Sequence, residues 1–246
     1  MRILAISDVH ADATTNGVRR FDEVQRHVHD ALSAAIEQKV DVFVFAGDLC
    51  DPESGPVVVK CVELMATVAV RLEHAGIQSI FVAGNHDVID NGEGWTTLDP
   101  LMALTGHSFV HLATRCQVPG FSIVGVEFAC LPFTSVSTAY DAKLAASDMH
   151  MGSGPLVVIS HLNVRGVVPG EESMEMPRGR EIWLPDEELA AVAKVRPTLI
   201  LQGHYHRRQT HRTPSGLDVH VIGSAAIFSH GEERHEPGYL IVEVST

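Results

Sequence analysis

Basic residues are scarce in this chain: 18 Lys and Arg stand against 31 Asp and Glu, 18 − 31, for a formal net charge of −13. Such a surface repels polyanions, so a broad nucleic-acid footprint is not expected, and a small substrate or a strand held at its end fits better. No apolar run approaches the roughly 18 to 20 residues needed to span a bilayer, which argues against a transmembrane helix and a membrane partner. The opening Met1-Arg2-Ile3-Leu4-Ala5-Ile6 leads straight to Asp8 and leaves no room for a signal peptide, so the expected compartment is the cytoplasm. Cysteine is sparse too. Cys50, Cys61, Cys116 and Cys130 show no C-x-x-C spacing, so neither a zinc knuckle nor a thioredoxin-type motif is indicated, and free thiols are expected. Internal repeats and low-complexity tracts are also absent.

Core material is ample, at 45% hydrophobic and 20% charged residues. Arg2 to Ser7 reads as a buried strand. Phe21, Val24, Val28, Leu32 and Ile36 then recur at helical spacing up to Lys39. Val42 to Ala46 is the next strand, a second helix runs from about Val57 to His74 with Gly76 as its stop, and Gln78 to Ala83 is a third strand. This β-α-β-α-β opening predicts parallel pairing, with the loops after the strands forming a common rim. Further on, Ser108 to His111 and Phe121 to Phe128 are strand-like and Ser137 to Met149 is helical in pattern. Leu156 to Ser160 is a strand, Asn163 to Leu184 a long loop of the kind that is usually functional, and Pro185 starts a helix through Lys194. Thr198 to Gln202 is a strand, and the tail is expected to alternate into antiparallel strands ending at Val244.

Five short fragments each end an apolar run: Ser7-Asp8-Val9-His10, Gly47-Asp48, Gly84-Asn85-His86-Asp87, Ser160-His161 and Gly203-His204-Tyr205-His206. They supply carboxylate, amide and imidazole without thiolate, a donor set for hard-to-borderline metal ions. Residues i and i+2 of an extended segment share a side, so Asp8 with His10, and His204 with His206, are each expected to aim two side chains into one cleft. Gly47 lacks a Cβ and is expected to let a metal or phosphate come close to the backbone. All five fragments together point to a binuclear metal site. Because they come from both halves of the chain and must converge, residues 1–246 read as one catalytic domain. The ten histidines outside these fragments, His27, His29, His74 and His107 among them, read as structural or surface residues.

In this order the fragments resemble the calcineurin-like metallophosphoesterase superfamily, whose motifs read D-x-H, G-D, G-N-H-D, H and G-H-x-H. The stretches Gly47-Asp48-Leu49-Cys50-Asp51, Ala83-Gly84-Asn85-His86-Asp87 and Gly203-His204-Tyr205-His206-Arg207-Arg208-Gln209 are most similar to its DNA double-strand-break repair exonuclease branch. So is the ending from Ile222-Gly223-Ser224 through Pro237 to Val244. Enzymes of that branch usually carry a capping domain after the catalytic one, and the chain is read as stopping without it.

The resemblance implies an α/β fold in which a two-sheet β-sandwich is flanked by helices. It implies Asp8, His10 and His206 on one metal, Asn85, His161 and His204 on the other, and Asp48 bridging them. Mn²⁺ is the first choice for both ions, with Fe or Zn²⁺ as alternatives. Two cations about 3.5 to 4 Å apart lower the pKa of a water between them and clamp phosphate oxygens, and the resulting hydroxide is the expected nucleophile. His86 is implied to face the phosphate and to protonate or stabilise the leaving oxygen, a task suited to imidazole. For Asp87 two readings stand side by side: it holds the His86 imidazole in its tautomer, or it caps the next turn. Arg165, Arg178 and Arg180, in the long loop, either grip a phosphate oxygen or a base, or pair with Glu171, Glu172, Glu175 and Glu181 nearby. Tyr205 either faces the core or stacks on substrate. The expected reaction is hydrolysis of phosphodiesters, with small or cyclic nucleotides first, the end of a nucleic-acid strand second and phosphomonoesters third. A scaffold with degraded ligands is disfavoured because every ligand position is filled.

Overall fold

The computed structural model describes residues 1–89, 94–104, 109–114, 120–133, 149, 152–168 and 182–245. Its first sheet grows from the opening expected above. Strand β1 (Arg2–Ile6) is buried on both faces beyond its first residue and pairs in parallel with β4 (Val42–Phe45), which is buried throughout. Such all-apolar strands suit the centre of a sheet covered on both sides. A small ribbon, β2 (Thr14–Thr15) with β3 (Val18–Arg19), precedes helix α1 (Phe21–Glu37). Val24, Val28, Ala31, Leu32 and Ala35 form the buried stripe of α1 at three- and four-residue spacing. This helix ends two residues short of the expected Lys39, which turns the chain at φ 51°. Helix α2 (Pro56–His74) has its proline in the first turn, where no helical hydrogen bond is lost, and Gly76 leaves it at φ 74°. Strands β5 (Gln78–Val82) and β6 (Val110–Ala113) continue the parallel order.

The second sheet holds β7 (Phe121–Ile123), β8 (Val126–Leu131), β9 (Leu156–Ser160), β10 (Thr198–Gln202), β11 (Gln209–Arg212) and β12 (Asp218–Val221), in the order β11-β12-β10-β9-β8-β7. Helix α3 (Asp186–Ala193) covers its outer face. The last strand, β13 (Leu240–Glu243), returns to the first sheet, whose order is β13-β1-β4-β5-β6.

Alternation along the strands builds the layers. Ile3 and Ala5 of β1 point between the sheets with Val42, Val44, Phe128, Val157, Ile159 and Leu201, while Leu4 and Ile6 point outward to α1 and α2. The result is a helix, sheet, sheet, helix stack, the flanked sandwich implied by the motifs. Two expectations need correcting. The strand-like run Phe121 to Phe128 is a hairpin, because Val124 and Gly125 both take positive φ, 46° and 80°, and turn β7 back on β8. The tail is not wholly antiparallel: β11 and β13 run antiparallel to β12 and β1, but β12 pairs in parallel with β10. Ser108, the helical pattern from Ser137 onward except Met149, and residues 169–181 of the long loop lie outside the described residues. Among the described residues no helix is long and apolar enough to cross a membrane.

Candidate metal centre

The carboxyl ends of β1, β4, β5, β9 and β10 gather at one rim and deliver Asp8, Asp48, Asn85, His161 and the pair His204 and His206. Backbone bonds tie the loops together: Asp8 N–H donates to the Gly47 carbonyl at 2.9 Å, and Val9 and His10 N–H both donate to the Asp48 carbonyl at 2.8 and 3.0 Å. The loops are not extended, as the i, i+2 argument supposed. Asp8 (φ 50°), His10 (40°), Asp48 (61°) and His204 (75°) occupy the left-handed region, and they are four of the seven non-glycine residues that do so among the described residues. Each costs on the order of 1 kcal/mol or more and is held only because its surroundings fix it, a pattern that concentrates at functional sites.

The side chains fall into two groups, Asp8 with His10 and His206, and Asp48 with His161 and His204; within each group the ligand atoms lie within 4.8 Å of one another. His10 Nε2 and His206 Nε2 face each other at 3.1 Å. Asn85 Oδ1 joins the second group, 2.9 Å from His204 Nδ1 and 3.2 Å from His161 Nε2. Asp48 Oδ2 stands between the groups, 3.1 Å from His161 Nε2 and 3.8 Å from His10 Nε2.

Cations fit this constellation on its own evidence. Both oxygens of Asp8 are buried with no hydrogen-bond partner, while the adjacent Ser7 hydroxyl is turned to the Ala46 carbonyl at 3.0 Å. A buried carboxylate left in that condition is costly unless a positive charge sits beside it. Burial lowers the pKa of His161, but Asp48 and Asp8 outweigh it and raise the group to about 9, which marks a position that attracts positive charge.

Three histidines are oriented by what their outer nitrogens touch. His161 Nδ1 donates to the Ala46 carbonyl at 2.6 Å, His206 Nδ1 to Glu232 Oε1 at 2.5 Å and His204 Nε2 to Asn163 Oδ1 at 3.2 Å. With these acceptors as partners, each ring turns its remaining nitrogen inward, where a cation that displaces any proton there would find its lone pair. Burial, helped by His161, lowers His204 to about 3 and keeps it neutral.

Gly47 meets a packing need as well. A Cβ there would collide with His161 Nδ1 and come within 2.8 Å of Gly84 N, because an imidazole ring and a neighbouring loop approach its backbone. Gly84 is equally constrained, since its Cβ would strike the Asp48 carboxylate.

Over the groups lies an open cleft of about 200 Å³ lined by His10, Asp12, Ala13, Asp51, His86, His206 and Phe228. His86 is 40% exposed in it, with its backbone N–H on Asp48 Oδ1 at 2.9 Å and its ring Nδ1 on Asp51 Oδ1 at 3.2 Å. Burial lowers its pKa, but Asp48 and Asp51 outweigh burial and bring it to about 10. Asp87 does not hold this imidazole; Asp51 does. The Asp87 carboxylate, fully buried, accepts from the backbone N–H groups of Asp48, Leu49 and Gly84 at 2.8 to 2.9 Å and from the Thr97 hydroxyl at 3.0 Å, clamping the loop after β4 to the loop after β5. Asp87→Ala should therefore cost stability, about 3 kcal/mol or more for three orphaned backbone donors. Denaturant unfolding checks this, with the half-exposed Asp51→Ala expected near wild type.

A family model described as calcineurin-like phosphoesterase matches residues 1–213. The chain belongs to that family. It is accordingly a hydrolase of phosphoric esters, and a subunit of the nuclease SbcCD from Bacillus subtilis is 25% identical to it over 99% of this chain and 66% of that protein. The double-strand break repair protein Mre11 of Sulfurisphaera tokodaii is 22% identical over 99% of this chain and 60% of its own length, so this chain spans about two thirds or less of these relatives. A dimetal phosphatase from Danio rerio shares the fold, with a TM-score of 0.60, 13% identity and coverage of 98% of this chain and 91% of that one.

In this calcineurin-like phosphoesterase, Arg165 is not in the metal cleft. Its guanidinium lies 5.7 Å from the centre of the Trp183 ring and lines a separate cavity with Leu184, Pro185 and Asp186. Arg178 and Arg180 lie outside the described residues. Tyr205 faces the core, where its hydroxyl accepts from Val164 N–H at 2.7 Å. Glu232, Asn163 and Asp51 were not singled out in the sequence. Asn163 and Asp51 follow motif residues by two or three positions and could have been found by that nearness; Glu232, 26 residues beyond His206, carries no local signal.

Proposed function

We propose that this phosphoesterase hydrolyses phosphodiester bonds of small or cyclic nucleotides, using two divalent cations, with Mn²⁺ as first choice and Fe or Zn²⁺ as alternatives. Asp8, His10 and His206 would hold one ion, Asn85, His161 and His204 the other, and Asp48 both, within one catalytic domain. Bound there, the pair supplies Lewis-acid charge for the phosphoryl oxygens and lowers the pKa of water. His86 faces the cleft, anchored through its backbone to Asp48 and through its ring Nδ1 to Asp51, and its Nε2 would serve a leaving oxygen. Asp51 would stabilise the imidazolium before that proton is given up.

One observation carries the preference for small diesters. Asp12 and Asp51 stand in the wall of the cleft, and no Lys or Arg lines it among the described residues. A single phosphate finds its countercharge at the ion sites; the further phosphates of a duplex would meet carboxylates. The cytoplasm is the proposed compartment, in keeping with Cys50, Cys61 and Cys130 held as buried thiols. A nuclease acting on strand ends is the second reading, favoured by the repair-nuclease relatives that match nearly the whole chain.

A screen of the Mn²⁺-loaded protein separates the two. Turnover per site on a small or cyclic nucleotide diester should exceed that on linear duplex DNA at physiological salt, and EDTA should abolish both. Processive digestion of duplex DNA with no action on small diesters would establish the nuclease reading instead.

A further inference from the structure

The chain from Ser224 to Glu232 wraps the Asp8, His10 and His206 group. Ser224 N–H donates to the His206 carbonyl at 3.0 Å and Ala225 N–H to the Asp8 carbonyl at 3.3 Å. The Phe228 ring packs on His10 and His206, with centroids at 5.5 and 5.9 Å. The segment then turns at His230–Glu232 and sends the Glu232 carboxylate back, fully buried, to His206 Nδ1 at 2.5 Å. Its other oxygen accepts from Phe228 N–H at 2.8 Å. All of this lies beyond residue 213, where the family match ends.

We infer that Glu232 is a positioning residue for the Asp8, His10 and His206 ion site: it fixes His206 as the Nδ1–H tautomer, aims Nε2 inward and sets the affinity of that site alone. The orienting acceptors differ in kind. His206 has a carboxylate, whereas His204 has the Asn163 amide and His161 the Ala46 carbonyl. A carboxylate on the outer nitrogen makes the inner one a stronger donor and adds negative charge beside the ion. The group with Asp8 and Glu232 therefore carries two carboxylates of its own, while among the described residues the His161 and His204 group has only Asp48, which both groups approach. Asymmetric affinity follows, with the Asp8 site filling first.

This inference rests on the two-metal reading, and the test keeps the two apart. Mn²⁺ is titrated into metal-free wild type, Glu232→Gln and Glu232→Ala, with stoichiometry and affinity read by calorimetry and ion–ion coupling by electron paramagnetic resonance. Thermal unfolding in EDTA reports on structure. Gln keeps the shape but offers one acceptor oxygen to two donors, His206 Nδ1–H and Phe228 N–H. Wild type should take two ions. In both variants one ion should weaken on the order of 10- to 100-fold, the usual cost of losing such a partner, more in Ala than in Gln. The other should keep its affinity, and the coupled signal should give way to that of an isolated ion. Two ions bound with unchanged affinities in the variants overturn the inference alone. Equal weakening of both sites in variants whose metal-free melting temperature has fallen also overturns it, making Glu232 a structural prop. Wild type that takes no more than one ion overturns the two-metal reading and the inference with it.

Discussion

Asp48→Ala is expected to empty both ion sites at once, while Asn85→Ala empties chiefly one. The asymmetry follows from where the ligand atoms stand. Asp48 Oδ2 is the carboxylate oxygen that faces both groups, 3.1 Å from His161 and 3.8 Å from His10, whereas Asn85 Oδ1 approaches His161 and His204 of the second group. Burial pushes the Asp48 carboxyl up, yet His161, His86 and His10 outweigh it and hold its pKa well below the usual range, so the anion is the form that the site maintains. Removing it deletes the negative charge on which two cations would depend, and turnover should fall about 10³-fold, the upper end of what the loss of one electrostatic stabiliser costs. Asp48→Asn is the informative companion: it keeps an oxygen to accept the His86 backbone N–H but loses the charge, and should fail nearly as badly. Elemental analysis of the purified variants decides. Near-full occupancy by two metals with unchanged turnover in Asp48→Ala would end the two-ion assignment.

Much of this architecture is legible in the residues because it depends on periodicity and order. The apolar runs of β1, β4, β5, β9 and β10 and the stripes of α1 and α2 identify themselves, and each motif falls just after a buried strand. What escapes is whatever depends on local backbone strain or long-range contact. No pattern rule announces that Asp8, His10, Asp48 and His204 are left-handed, because the loops that force those angles come from distant strands. The i, i+2 argument thus assumed an extended backbone that these loops do not have. Similarly, the sequence of Gly84-Asn85-His86-Asp87 offers His86 as the obvious partner for Asp87, but two N–H groups of the loop after β4 and one of its own loop are donors that a buried carboxylate satisfies better. Glu232 is invisible for the same reason, since it meets His206 only after the chain has added β11 and β12 and turned back.

His86→Gln should keep both ions and lose turnover, with kcat down by on the order of 10² or more, the range typical of a missing general acid. The side chain stands at the mouth of the cleft, 40% exposed, with its ring 4.9 Å from that of His10 and its Nδ1 on Asp51. Its anchoring bond is from the backbone N–H to Asp48, which glutamine preserves, so the loop and the ligands need not move. The loss should depend on the leaving group. An aryl oxide departs without a proton, so a nitrophenyl diester should suffer least; a nucleoside alkoxide needs protonation, so nucleotide diesters should suffer most. Asp51→Ala should follow the same order with a smaller effect, because it removes only the carboxylate that supports the imidazolium. Equal losses on aryl and alkyl leaving groups would show that His86 stabilises the phosphoryl oxygens and does not deliver a proton. Loss of metal from His86→Gln, with activity restored by added Mn²⁺, would make His86 a ligand and remove the proton donor from the proposed mechanism.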